Sequence, residues 1–140
     1  MAVELFRTRG CVEYTGTEPR IPALNVTVHD PITREKGQVL AAVDTGFAGY
    51  LLLRKEVYER FASAELPAEY FMVYSTMAGS VVLRKARVAI EIGELTLQAY
   101  IETPQYGPGR DIIGRRLLHS IDLALLGETE NCCLLEKAEV

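Results

Sequence analysis

From Val39 to Leu53 the chain reads Val-Leu-Ala-Ala-Val-Asp-Thr-Gly-Phe-Ala-Gly-Tyr-Leu-Leu-Leu, with a single carboxylate, Asp44, between two apolar runs. The pattern predicts a buried strand, a tight turn and a second buried strand, with the acid at the turn. Burying a lone carboxylate is costly unless it is hydrogen-bonded, paired or kept protonated. The fold must therefore either solve that problem or use it. Thr45 and Gly46 favour use: a hydroxyl and a close backbone approach are what holding two carboxyl groups side by side requires.

The rest of the chain predicts mostly strands. Leu24, Val26 and Val28 alternate with Asn25 and Thr27, and Asp30, Pro31 and Gly37 mark a hairpin connection toward Asp44. Lys55 to Ala62 has the composition and apolar face of a short helix, which Pro67 is expected to end. Tyr70 to Ser75 is strand-like, and Thr76 to Ser80 reads as a hairpin tip. Ala86, Val88, Ile90 and Ile92 alternate, Gly93-Glu94 fits a type II′ turn, and Leu95, Leu97, Ala99 and Ile101 resume the period. Thr103 to Arg110 is turn-rich and is expected to be an exposed loop. Ile112 and Ile113 lead through Gly114 into a short helix from Arg115 to Ser120. Strand-like runs at Leu123 to Leu126 and Cys132 to Leu135 follow, and residues 1–20 suggest an edge strand. The fold class expected is all-β with one or two short helices.

Composition narrows the partners. At 140 residues the chain suits one domain, and 49% hydrophobic with 24% charged residues is ordinary for a globular protein. A net charge of -4 without a dense basic cluster argues against nucleic acid. The N-terminus lacks a secretory pattern and no apolar run reaches membrane-spanning length, so no membrane partner and a cytoplasmic location are expected. Cys132 and Cys133 are adjacent and cannot readily pair with each other, which predicts reduced thiols acting as small buried residues. His29 and His119 do not stand at metal-ligand spacing, so no metal is expected.

Two motifs together carry a resemblance. Asp44-Thr45-Gly46 after an apolar strand, and Asp111-Ile112-Ile113-Gly114-Arg115-Arg116-Leu117-Leu118 downstream, resemble the catalytic triplet and the closing strand-to-helix segment of the retropepsin-like, single-domain aspartic proteases. The likeness runs over residues 21–140 and leaves residues 1–20 as an N-terminal segment, an edge or interface strand. It implies a closed β-barrel of the acid-protease kind that works as a homodimer, since a chain with one triplet must borrow the second carboxyl from a partner. By resemblance Asp44 is the acid/base, Thr45 braces the pair, and Gly46 binds substrate backbone. Phe47 and Ala48 border the substrate, Met77, Ala78 and Gly79 form a flap tip, and Gly114 and Arg115 support the site from below. The implied partner is a protein or peptide substrate and no cofactor is implied, because the nucleophile is water.

Departures from the family pattern lie beside the triplet and in the downstream motif. Phe47 replaces a small residue, Ala48 stands where an acid commonly pairs with the arginine here numbered Arg115, and Arg116 replaces an Asp or Asn. A non-cleaving dimerisation or peptide-binding module is therefore the alternative reading. Asp30, Asp111 and Asp122 occupy what read as ordinary structural positions. A serine hydrolase lacks its Gly-x-Ser-x-Gly elbow, and Gly107, Gly109 and Gly114 do not make a dinucleotide fingerprint.

Overall fold

The computed structural model describes residues 3–138. The alternating stretches become β2 (Ala23–His29), β3 (Lys36–Val43), β6 (Gly79–Ile92) and β7 (Leu95–Pro104). Their inward residues, among them Leu24, Val26, Val28, Val88, Ile90 and Ile101, are fully buried in one core. β6 and β7 pair antiparallel from Leu83↔Pro104 to Ile92↔Leu95. Gly93 opens their turn at φ 61°, a left-handed value that a side chain disfavours and a type II′ turn requires.

Two very short strands, β4 (Leu51–Leu52) and β8 (Ile112–Ile113), complete a ring ordered β2-β3-β8-β4-β7-β6. The ring closes where Thr27 to His29 of β2 pair with Ala89 to Glu91 of β6. The barrel is thus closed and β-rich, with α1 (Lys55–Phe61) and α2 (Arg115–Leu118) as its short helices. Closure leaves no exposed sheet edge in the ring. β5 (Met72–Thr76) pairs only with the first part of β6, so this hairpin stands out from the barrel as an arm.

A tight turn between the two apolar runs of Val39 to Leu53 is not what forms. β8 lies between β3 and β4, parallel to the first through Ala42↔Ile112 and antiparallel to the second through Leu51↔Ile113. The connection from Asp44 to Tyr50 must cross the width of an inserted strand, so it is a broad loop.

Outside the barrel, β1 (Phe6–Glu13), β10 (Asn131–Lys137) and β9 (Leu123–Leu126) make a three-stranded sheet in that order. The β1–β10 register jumps from Arg9↔Leu134 to Val12↔Cys132, so Gly10 and Cys11 together oppose Cys133. Gly10 takes φ 57°, the left-handed conformation that begins a glycine bulge. The bulge sets Cys11 against Cys133, and the two are joined in a disulfide. The expectation of reduced thiols is corrected for Cys133; it holds for Cys132, which is free and buried.

α1 also ends sooner than Pro67. Ala62 caps it, and the Ser63 amide, which a longer helix would give to Glu59, donates instead to Asp30 Oδ2 at 3.1 Å. Asp30 Oδ1 accepts from the amides of Ile32 at 2.8 Å and Thr33 at 3.2 Å. Burial of this residue, 1% exposed, would raise its pKa, but the donors from Ser63, Ile32 and Thr33 outweigh burial and hold it below the ordinary carboxylate value. Asp30 is thus a buried tie between the β2–β3 hairpin and the end of α1. Asp30→Ala should lower unfolding free energy by roughly 3 kcal/mol at neutral pH, measured by denaturant titration. A carboxyl whose folded pKa is depressed stabilises above its unfolded pKa, about 4. The difference between variant and wild type should therefore shrink as pH falls through that value and below. A pH-independent difference would mean that the lost side-chain packing, not the charge, set the cost.

No helix among the described residues is long and apolar enough to cross a membrane.

Candidate active site

Asp44 is the first residue beyond β3. Its amide donates to the Ile113 carbonyl at 2.9 Å, continuing the β3–β8 ladder and fixing the backbone at the acid. The side chain points past the barrel rim and is 37% exposed, with Gly46 N–H donating to Oδ1 at 2.8 Å. The expectation of a buried carboxylate is thereby corrected for the single chain: the chain leaves the barrel at Asp44, whereas Asp30 is the aspartate that is buried. Arg110 Nη2 lies 3.6 Å from Asp44 Oδ2 across a cavity of about 340 Å³ that also includes Ile21, Pro22 and Ile112. Asp111 borders the same cavity, but its oxygens accept from the Arg54 amide at 2.9 Å and Arg54 Nε at 3.0 Å. That carboxylate is committed to Arg54, whereas Asp44 has only the Gly46 amide and the long Arg110 contact.

Thr45 and Gly46 are exposed beside it, and the Thr45 hydroxyl has no hydrogen-bond partner among the described residues. A Cβ on Gly46 would stand 3.0 Å from Asp44 Oδ1, so the glycine keeps the carboxyl uncrowded. Phe47 turns inward. It is 8% exposed and packs with Leu83 and Ile112, its ring 5.8 Å from that of Tyr74, so its side chain does not border the open face where it was expected. The apolar ring gains more under the loop than in water. Ala48 is half-buried and lies between two shallow cavities.

Three amides at the start of α2 hold the loop from below. Gly114 N–H donates to the Tyr50 carbonyl at 2.9 Å, Arg115 N–H to that of Phe47 at 2.8 Å, and Arg116 N–H to that of Gly49 at 3.1 Å. These pair otherwise unsatisfied helix-start donors with loop carbonyls. A Cβ on Gly114 would collide with the Gly49 carbonyl oxygen and stand 2.6 Å from Phe47 Cδ2. The Arg115 side chain is exposed and makes no ion pair among the described residues, so the backbone of this position carries the contact.

On the arm, Met77 and Ala78 form the loop between β5 and β6, with Thr76 paired to Gly79. The Thr76 hydroxyl donates to the Gly79 carbonyl at 2.7 Å, Gly79 takes φ 115°, and Met77 is fully exposed. The same hydroxyl accepts from the Ala78 amide at 3.2 Å, so one side chain makes both local ties of this exposed tip. Sequence reasoning did not single out Tyr74 and Glu102. Glu102 is buried although charged, because the end of β7 is covered on both faces, by the core at Ile101 and by the Asp44 loop at Glu102. Two-residue periodicity cannot report the second cover.

Neither a family model nor a curated protein sequence matches this chain. Solved structures do. EIAV protease, in complex with the inhibitor HBY-793, superimposes with a TM-score of 0.52 at 17% identity over 76% of this chain and 92% of its own. A retropepsin-like aspartic protease from Rickettsia conorii does so with a TM-score of 0.55 at 13% identity, over 99% of this chain and 98% of its own. The chain has the retropepsin-like fold, as its two motifs implied, and at these identities the likeness concerns the fold.

Proposed function

We propose that the protein is an aspartic endopeptidase that cuts peptide bonds with water held between two Asp44 carboxyls, one from each subunit of a homodimer. The observation that carries this reading is the exposed, backbone-fixed Asp44 carboxyl on a loop stapled by α2, facing outward from the chain. Alone it is half of an acid–base pair. With a second copy, one carboxylate takes a proton from water while the protonated partner hydrogen-bonds the substrate carbonyl, and the collapse of the tetrahedral intermediate expels the amine. Like charges so close keep one proton between them. Thr45, with its free hydroxyl, braces the pair across the two-fold axis. Gly46 offers its backbone to substrate, Met77, Ala78 and Gly79 close over it, and Gly114 with the Arg115 amide holds the loop. Phe47 and Ala48 act through the shape of the loop.

One observation favours a second reading, a module that binds peptides without cutting. Arg110 stands close enough to Asp44 to compete for its charge. Subunit mixing tests the first reading. Wild type combined with a tenfold excess of Asp44→Asn chains, after exchange, places most wild-type subunits in heterodimers with one ionisable carboxyl. Cleavage per wild-type chain should fall to about a tenth, and dilution of wild type below its dissociation constant should do the same. Activity that survives mixing after demonstrated exchange would overturn the shared dyad.

A further inference from the structure

Between the Asp44 loop and the arm lies a separate cavity of about 280 Å³, with Gly49 and Glu102 at its base and Tyr50, Tyr74 and Tyr100 as walls. Lys85 and Arg116 also border it. Its chemistry is unusual for a cleft wall. Glu102 is 2% exposed, and the Tyr74 hydroxyl, 3.2 Å from each carboxylate oxygen, shares its single proton between them. An ionised carboxylate accepts about four hydrogen bonds, so most of this one's capacity is unspent. Gly49 keeps it open, since a Cβ there would stand 2.5 Å from Glu102 Oε1.

The nearby cations do not satisfy it directly. Lys85 is paired with Glu102 in the β6–β7 register, yet its ammonium lies 4.3 Å from the centre of the Tyr100 ring. Among the described residues neither Lys85 nor Arg116 makes an ion pair or hydrogen bond with Glu102. Burial raises the Glu102 carboxyl above its ordinary value against the pull of Lys85, the Tyr74 hydrogen bond and Arg116, as befits an acceptor short of donors. Burial, with the Glu102 contact adding to it, pushes the Tyr74 hydroxyl up to about 12, so it remains a donor at neutral pH.

A guest must answer both signs at once. A carboxylate would lie against Glu102, an ammonium or guanidinium against Lys85 and Arg116, and an alkyl group would leave the buried acceptor unpaired. A carboxamide answers all three: its NH2 donates to Glu102, its oxygen accepts from Lys85 or Arg116, and its planar group lies against tyrosine faces. We propose that this cavity selects a glutamine or asparagine side chain of a bound peptide, with Glu102 as the specificity-determining residue. This rests on the peptide-handling reading of Asp44, though not on cleavage.

The test measures binding apart from catalysis. Asp44→Asn protein is titrated with peptide sets that differ at one position, carrying Gln, Asn, Glu, Lys or Leu, and wild type is given the same sets for cleavage. At one position Gln or Asn should bind at least about tenfold tighter than the other three, because a site built for hydrogen bonds rejects side chains that leave them unmade. Adding Glu102→Gln removes the anion and keeps both cations, so the preference should pass to Glu. If that variant does not fold, Lys85→Met with Arg116→Met decides, and the preference should pass to Lys. A ranking unchanged in the folded variant, or no carboxamide preference at any position, overturns the proposal. Selective binding without cleavage by wild type would sink the protease reading and leave this one standing.

Discussion

Asp44→Asn protein should unfold at the same denaturant concentration as wild type while cleaving an unfolded protein substrate at least about a thousandfold more slowly. Stability should hold because the amide is nearly isosteric and its oxygen can still accept the Gly46 N–H. The Arg110 contact it gives up is long and solvent-exposed, with side chains 75% and 37% exposed, and such pairs contribute little. Activity should fall because neither subunit can then hold or release the shared proton. Undiminished cleavage would show that another group activates water. Equal inactivity of wild type and variant toward broad peptide sets would leave the binding-module reading in possession.

Gly114→Ala should cost about 3 kcal/mol in unfolding free energy and lower any cleavage by about a hundredfold or more. The cost is steric. Gly114 takes φ -96°, which any residue adopts, so the glycine is needed for space and not for its backbone freedom. An added methyl would strike the Gly49 carbonyl, the Phe47 ring at 2.6 Å and the Phe47 carbonyl at 2.8 Å. Two of those obstacles are backbone atoms of the loop that carries Asp44, and relief must push the loop off the α2 amides. Activity should suffer beyond stability because the carboxyl moves with its loop. Gly127→Ala is the control, since a Cβ there meets nothing within 4 Å, and it should change stability by less than about 0.5 kcal/mol. Equal effects of the two substitutions in thermal and denaturant melts would refute the packing role of Gly114.

Much of the barrel was legible because strand periodicity is local. Leu24, Val26 and Val28, or Ala86 to Ile92 with Leu95 to Ile101, announce their inward faces without reference to any neighbour, and Gly93-Glu94 marks its own turn. The Asp44 triplet and the Ile112-Ile113-Gly114 segment stood out as motifs, and in the fold they meet through β8 and α2. Their meeting could not be read from either alone.

What only the tertiary structure decided concerns pairs distant in sequence. β8 enters between β3 and β4, which turns an expected tight turn into the broad loop from Asp44 to Tyr50 and carries the carboxyl out to solvent. A bulge at Gly10 and Cys11 sets Cys11 against Cys133, although adjacency had drawn attention to Cys132 and Cys133. Asp30 became a buried tie because the end of α1 comes to it, Phe47 turned under the loop because Tyr74, Leu83 and Ile112 leave an apolar space there, and Glu102 was covered by Gly49 and the arm. By itself the sequence determined which residues would be strands, which faces would be apolar, and where a catalytic triplet could sit. Alternation reports the polarity of a face, whereas burial of a charge, a crosslink or a cavity depends on which strand or loop arrives opposite it.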